Sequence, residues 1–534
     1  MPITSVILEN FKGVGQRVEI PLRAITLLFG ANSAGKSTIL QALLYLREIL
    51  EHRHTDVDRL HVSGQSIDLG GFQKLVHKHD LARKVKIGVT VSVDDDGLNT
   101  YGRAPYDDDD DAEGIRIEDQ LPLPLPNVHE VTVSVTIGWD PDFKHTHVFS
   151  YEVAINGQRV GEIHEPLWDS IEESKKGATL TMVEDHPIFS RVFRFGNPDH
   201  GRDHTGEEIV GPLGYMGSVE YGVLGVVLPN LGQPLRLLER PDTQSTQLST
   251  QDAEELFSHV MVGAGQAVLD ELKRTRYIGP LRIVPDRAYS AVRTDMQDRW
   301  ADGSAAWDLL HKLDDDLAWF LGREKQFAQL GLGYRLGIYH YYEVARRSPL
   351  GKSLGDARIP ASKGLAQSPL SPAEVREHSI EKRRFQITLE ANGMEVSPSD
   401  VGVGVSQLVP VVIGAMAPGY NLLAVEQPEL HVHPAIQCSL ADVLALQVID
   451  KDRQLLLETH SEHLMLRLLR RVRETTEGEL PVDAPKLTPD DLSVLYVASD
   501  AEGMMITPLP VTEDGDFSRP WPKGFFSERR GELF

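Results

Sequence analysis

Near both ends of this 534-residue chain, apolar residues alternate or cluster in short stretches, and between those stretches they recur at helical spacing. TSVIL, RVEI and AITLLF within residues 3–29 predict short strands, broken by a turn at Gly13-Val14-Gly15. After a glycine-rich turn, STILQALLYLREIL sets Leu40, Leu43, Leu44 and Ile49 at helical spacing. Strand-like patterns return at 85–93, 131–138 and 147–155. A helix is predicted over 252–275, where Asp252 stands as N-cap and Glu255 follows three residues later. Residues 303–330 read as mostly helical, with Trp307, Leu309, Leu310, Leu313 and Phe320 as a core face. Residues 156–250 are rich in Gly and Pro and assign to no clear element, while 94–128 (Asp107–Asp111, then LPLPLP) reads as a solvated surface loop and 346–382 as a Pro/Ser/Lys/Arg-rich loop. From 384 the strand pattern resumes. Neither sustained heptads nor an internal repeat is present.

Composition narrows the class. A charged fraction of 25% and a hydrophobic one of 41% describe an ordinary globular protein, of roughly two to four domains. One cysteine, Cys438, excludes an internal disulfide and a Cys-based zinc site. The net charge of −25 argues against wholesale coating of nucleic acid but leaves a local basic groove open. No basic segment followed by an apolar one opens the chain. The nearly uncharged stretch Ser406–Val425 is divided by Pro410, Pro418 and Gly419 into helix, turn and strand. A cytoplasmic protein without a membrane partner is expected.

The chemistry concentrates in a few motifs. Gly30-Ala-Asn32-Ser33-Ala34-Gly35-Lys36-Ser37, followed by Thr38, fits the P-loop pattern and lies between a predicted strand and a predicted helix, as that loop requires. Its backbone N–H groups cradle phosphates at a helix N-terminus, Lys36 reaches the β/γ-phosphates and Ser37 ligates Mg²⁺. ATP and Mg²⁺ are the expected cofactors. A P-loop needs an acid on a neighbouring strand, and Asn421-Leu-Leu-Ala-Val-Glu426 supplies one at its end. A second apolar strand, Gln454 to Glu458, runs into Thr459-His460-Ser461, which makes His460 a γ-phosphate sensor candidate. Ser399-Asp-Val-Gly402-Val-Gly404-Val-Ser406-Gln407 leads into an apolar helix and suits a second phosphate, that of another subunit.

In this order the motifs resemble the ABC-type ATPase heads of the RecF, SMC and OLD group: Asn10-Phe11-Lys12, GANSAGKST, a degenerate signature GVGVSQ, EQPELHVHP and ETHSEHL. The chain also resembles bacterial AAA-family ATPases that carry TRYIGPLR (275–282) and a tail like Trp521-Pro-Lys-Gly524-Phe525-Phe526. The resemblance implies an α/β head, an antiparallel β lobe plus a parallel-sheet core, with a compact, partly helical insertion in place of a long coiled coil. It implies halves of the head at 1–95 and 384–475, the rest of the β lobe at 96–160, an inserted domain at 161–383 and an extension at 476–534. It places Lys12 at the nucleotide, Ser406 on the γ-phosphate in trans, and Gln73 beside Ser37 and Glu426 at the metal, although Gln73 equally suits an exposed loop. Relatives often belong to phage-defence or DNA-maintenance modules.

Two departures bear on turnover. Where relatives carry a second acid after the Walker B strand, this chain has Gln427, so turnover is slow, or Glu429 acts as base, or Gln427 orients water. The signature lacks consecutive glycines. His431 and His433 lack a third ligand for a metal site. No acid pattern of an attached nuclease domain follows His460, so cleavage would belong to a partner. The expected protein is an ATP-dependent homodimer, or a higher oligomer, that controls an effector such as a nuclease in antiviral defence. The rival readings are a non-hydrolysing ATP-bound scaffold and a DNA- or RNA-binding repair clamp whose basic stripe uses Arg467, Arg470, Arg471 and Arg473 together with Lys382-Arg383-Arg384.

Overall fold

The structure, a computed structural model, describes residues 2–53, 69–94, 97–98, 127–141, 144–165, 177–183, 186–189, 214–220, 227–238, 250–286, 289, 298–312, 330–331, 334–345, 347–348, 351–352, 379–389, 394–396, 398–449 and 453–522. Asp107–Asp111, Leu313, Phe320 and the tail from Lys523 lie outside these residues.

The strands are β1 (Ile3–Glu9), β2 (Val18–Pro21), β3 (Ile25–Gly30), β4 (Val85–Ser92), β5 (Glu130–Asp140), β6 (His145–Ile155), β7 (Gln158–His164), β8 (Gly177–Val183) and β9 (Gly214–Glu220). They continue as β10 (Thr275–Ile278), β11 (Tyr334–Val344), β12 (Ser379–Leu389), β13 (Glu395–Val396), β14 (Leu422–Glu426), β15 (Gln454–Glu458), β16 (Leu492–Ser499) and β17 (Met504–Pro508). The α-helices are α1 (Lys36–His52), α2 (Phe72–Leu75), α3 (Thr250–Phe257), α4 (Gly263–Lys273), α5 (Ser304–Lys312), α6 (Val403–Met416), α7 (Pro434–Ile449) and α8 (Glu462–Glu477).

One compact unit comprises Met1–Tyr277, Pro418–Pro428 and Leu444–Phe534. Its first sheet has the order β2-β1-β4-β5-β6-β7-β8-β9, with neighbours antiparallel throughout. Its second has the order β10-β14-β15-β3-β16-β17, in which β14, β15, β3 and β16 run parallel. Every residue of β3, β14 and β15 is buried. Strands covered on both faces read as unbroken apolar runs, which is why ITLLF, LLAV and LLL show no alternation. Along β5, by contrast, Val131, Val133, Val135 and Ile137 point into the core at every second position.

The core of this unit lies between the sheets around α1 and α4. Leu40, Leu43 and Leu46 of α1 are buried in it, and each such side chain contributes about 1.5–3 kcal/mol. Tyr45 of α1 stacks on Phe11 with ring centroids 6.2 Å apart. Tyr151 of β6 donates its hydroxyl to the Met261 carbonyl at 2.7 Å, which fixes the helical segment against the lobe.

The second unit comprises Ile278–Ala417 and Glu429–Val443. It contains the sheet β11-β12-β13 and the helices α5 and α6. Trp307 and Leu310 of α5 are buried. Asp308 is buried too, accepting from Tyr289 Oη at 2.8 Å and Arg299 Nε at 2.7 Å. The Gln407 side chain brackets Arg282: its Oε1 accepts from the Arg282 N–H at 3.2 Å and its Nε2 donates to the Arg282 carbonyl at 2.6 Å.

The antiparallel lobe and the parallel P-loop core together are the ABC-type head expected from the motifs, and the described part of the insertion is partly helical. Three details differ from the sequence expectation. The helix expected over 252–275 contains a π turn at Ser258–Val262 and stops at Lys273, because Thr275–Ile278 extends as an edge strand. The first sheet continues past residue 160 through β7, β8 and β9, in the stretch that assigned to no element. Strand β12 begins at Ser379 rather than 384. Among the described residues no helix is long and apolar enough to cross a membrane.

Candidate nucleotide site

The first unit gathers the site at the C-terminal ends of its parallel strands, where open α/β sheets bind ligands. Strand β15 lies between β14 and β3, and the register sets Glu426 opposite Glu458, and Glu458 opposite Leu28. The chain then leaves β3 at Gly30, passes the exposed Ala31, Asn32 and Ser33 and the buried Ala34, and enters α1 after Gly35. Three positive-φ positions make this turn: Gly30, Ser33 (φ 64°) and Gly35. Gly30 has φ 150° and pairs with Val497, whose carbonyl would lie 2.0 Å from a Cβ at Gly30. Gly35 has φ 100°, and a Cβ there would lie 2.8 Å from Met504 Sδ. Gly30→Ala is therefore expected to force β3 and β16 apart and to cost about 3 kcal/mol or more. A thermal melt indistinguishable from wild type would contradict this loop geometry.

Lys36 is 3% exposed. Its Nζ donates to the carbonyls of Gly30 at 3.1 Å and Ala31 at 3.0 Å, and lies 3.7 Å from Glu458 Oε1. The ammonium thus folds over the loop that would hold phosphate. Ser37 Oγ lies 3.1 Å from Glu426 Oε2 and 2.6 Å from Glu458 Oε2. Tyr277 Oη donates to Glu426 Oε1 at 2.7 Å.

Lys12 sits in a left-handed turn (φ 51°) and donates to Gln41 Oε1 at 2.5 Å. Burial lowers its pKa and the charge of Glu426 opposes that shift, which ties Lys12 electrostatically to the site. His460 follows β15 in a fixed turn. The Thr459 N–H donates to the Leu28 carbonyl at 3.1 Å, and Ser461 Oγ caps α8 through the Leu464 N–H at 2.9 Å. Burial first, and then the positive charge of Lys36, lowers the His460 pKa, so the imidazole is neutral at physiological pH. Gln427 has φ 45° and its N–H donates to the Glu458 carbonyl at 2.7 Å.

The structure brings Lys36, Ser37 and Glu426 together. It does not bring Gln73 into their hydrogen-bond network: Gln73 is exposed on α2, and its backbone carbonyl contacts His79 Nδ1 at 2.7 Å. Ser406 and Glu429 belong to the second unit. Ser406 is 1% exposed and donates to the Pro398 carbonyl at 2.8 Å, whereas Val403 before it is 57% exposed. Glu429 is half-buried, and its carbonyl accepts from the Val432 N–H at 3.0 Å.

Sequence reasoning missed Glu458 and Tyr277. Glu458 ends its apolar strand just as Glu426 does, and that shared position was its signal. Tyr277 lies in TRYIGPLR and carries no chemical signature by spacing.

The C-terminal extension supports the loop. The Met504 N–H donates to the Gly13 carbonyl at 2.7 Å, and Trp521 meets Phe29 edge-on at 5.5 Å. Two arginines of the cluster on α8 share one acid: Arg470 Nε and Arg471 Nη1 contact Glu474 at 2.6 and 2.5 Å, and Arg471 is buried. Side chains 382–384, the other half of the expected basic stripe, lie outside the described residues.

The Ser37 hydroxyl and the Glu426 carboxylate are hard oxygen donors of the kind that suits Mg²⁺. The uncapped N-terminus of α1 after Gly35 fits phosphate.

Residues 1–95 and 363–465 match the family model described as an AAA ATPase domain. No curated protein matches the chain. Among solved structures, the chain is similar to an SMC head bound to the C-terminal winged-helix domain of ScpA, at 11% identity and TM-score 0.38, covering 96% of this chain and 99% of that one. An SMC head domain from Thermotoga maritima aligns at 9% identity and TM-score 0.35, over 96% of this chain and 100% of that one. One from Pyrococcus furiosus, with an extended coiled coil and bound to the C-terminal domain of ScpA, aligns at 10% identity and TM-score 0.35, over 95% and 96%. These likenesses are weak, and the fold stands on the strand order and loop geometry above. The two matched segments hold the P-loop in one and Glu426, Glu458 and His460 in the other, so the likeness to an AAA ATPase domain spans both halves of the site.

Proposed function

We propose that the protein is an ATP-binding and ATP-hydrolysing switch whose heads pair around ATP·Mg²⁺ and thereby control a partner effector. The observation that carries this reading is the convergence of Lys36, Ser37 and Glu426 at the P-loop. Ser37 and Glu426 would hold Mg²⁺, which would supply the positive charge that balances the charge developing on the phosphates. Lys36 exchanges the Gly30 and Ala31 carbonyls for phosphate oxygens, and the N–H groups at the start of α1 complete the cradle. His460, neutral and held in its turn, offers a ring N–H to the terminal phosphate. Gln427 cannot accept a proton, so turnover is slow, with Glu429 as a candidate base.

A ligand shifts a conformational equilibrium only through contacts that differ between the states. Pairing of two heads supplies such a difference if the start of α6 meets the γ-phosphate of the opposite subunit. Ser406 would then have to leave Pro398, and the exposed Val403 would lie in the contact. Val403→Arg is therefore expected to leave ATP binding by the single chain intact and to abolish ATP-dependent association in sedimentation velocity, whereas Ser406→Arg would overpack a buried position. Association of Val403→Arg at wild-type strength would overturn the pairing geometry. The effector is a nuclease or a protein of similar action within an antiphage module, a reading supported only by the resemblance of the motifs. The alternative, a nucleic-acid clamp, loses support because Glu474 pairs two of the four α8 arginines in its basic stripe.

A further inference from the structure

Glu458 remains outside the roles assigned so far, although it makes the shortest contact at Ser37. It is 6% exposed and Glu426 is 7% exposed. Both end parallel strands in direct register, so the fold itself sets the two carboxylates side by side. Ser37 Oγ carries one proton and lies within 3.1 Å of an oxygen from each. That proton can satisfy one carboxylate only, and the other oxygen then faces lone pairs. Two buried carboxylates converging on one oxygen repel each other unless a cation lies with them. Lys36 supplies part of that charge, at 3.7 Å from Glu458. Arriving phosphates would draw Lys36 away and add negative charge facing both acids.

We propose that Glu458 is a third oxygen ligand of the metal site, so that with Glu426 and Ser37 it takes up a divalent cation of the Mg²⁺ or Mn²⁺ type before any nucleotide binds. The inference rests on the reading of Ser37 and Glu426 as the metal side of an ATP site. It adds an order of events. The cation enters first and neutralises the acid pair, Lys36 is released from Glu458, and the nucleotide then meets a lysine free to turn to phosphate. A single carboxylate with a hydroxyl binds Mg²⁺ weakly without substrate phosphates, because Mg²⁺ dehydrates reluctantly; a second carboxylate changes that balance.

The test is titration of the nucleotide-free, full-length protein with Mn²⁺, followed by electron paramagnetic resonance of the free ion. Wild type is expected to take up one Mn²⁺ per chain. Glu458→Gln, which keeps the shape and removes the charge, is expected to weaken uptake at least about tenfold, and Ser37→Ala to weaken it as well. Lys36→Ala should bind Mn²⁺ no less tightly than wild type, since it removes the competing cation. Circular dichroism melts confirm that each variant is folded, and Glu474→Gln serves as an acid-removal control outside the site. ATP binding in EDTA, read by fluorescence of a labelled ATP, is expected to survive in Glu458→Gln. No Mn²⁺ uptake by wild type, or equal uptake by Glu458→Gln, overturns the role of Glu458 while leaving the ATP site standing. Mn²⁺ uptake without any ATP binding would instead overturn the ATP reading.

Discussion

Lys36→Ala is expected to lower ATP affinity by at least two orders of magnitude, a loss of about 2.7 kcal/mol or more, read by titration calorimetry in Mg²⁺. The size follows from burial. The Lys36 ammonium is held inside the loop by two carbonyls and Glu458, so it would meet phosphate in a site shielded from water, where a charge pair is worth far more than at a surface. Alanine removes that charge and leaves the Glu458 carboxylate unopposed beside the incoming phosphates. Alanine is a good helix former at this first position of α1, so the fold should hold. Undiminished affinity in Lys36→Ala would show that residues 30–37 do not cradle the nucleotide.

Glu426→Ala is expected to reduce turnover by two to three orders of magnitude, about 3–4 kcal/mol of transition-state stabilisation, with a smaller effect on ATP affinity. Glu426 is tied on both oxygens, to Ser37 and to Tyr277. Its removal loosens the metal and leaves the Tyr277 hydroxyl without that acceptor. Tyr277→Phe probes the second of these alone and should cost less, on the order of one neutral-to-charged hydrogen bond, about 1.5–3 kcal/mol. Equal turnover in Glu426→Ala and wild type, measured by phosphate release, would remove Glu426 from the metal site.

The centre of this site was legible because its parts are local. A P-loop is one contiguous turn between a strand and a helix, and Glu426 and His460 each follow an apolar run whose burial on both faces removes any polar alternation. Glu458 was harder to see: its role appears only once β14 and β15 are set in register, a non-local fact. Ser406 shows the reverse. The sequence marks it as the phosphate-facing serine of a helix start, but α6 begins at Val403 and turns the hydroxyl inward to Pro398. Strands β7 to β9 were hidden because the segments that hold them are rich in Gly, Pro and charge, and their pairing is set by the neighbouring strand rather than by their own apolar pattern. The overrun of the helix at Lys273 has the same origin, since TRYI is recruited to a sheet edge.

The most direct measurement of the central claim is steady-state phosphate release from ATP by the purified full-length chain, with Mg²⁺ and with EDTA, and with Lys36→Ala as the blank. The account predicts slow release that saturates with ATP, needs the divalent cation and vanishes in Lys36→Ala. Release that persists in EDTA or in Lys36→Ala, or no release by the wild type in Mg²⁺, would contradict it.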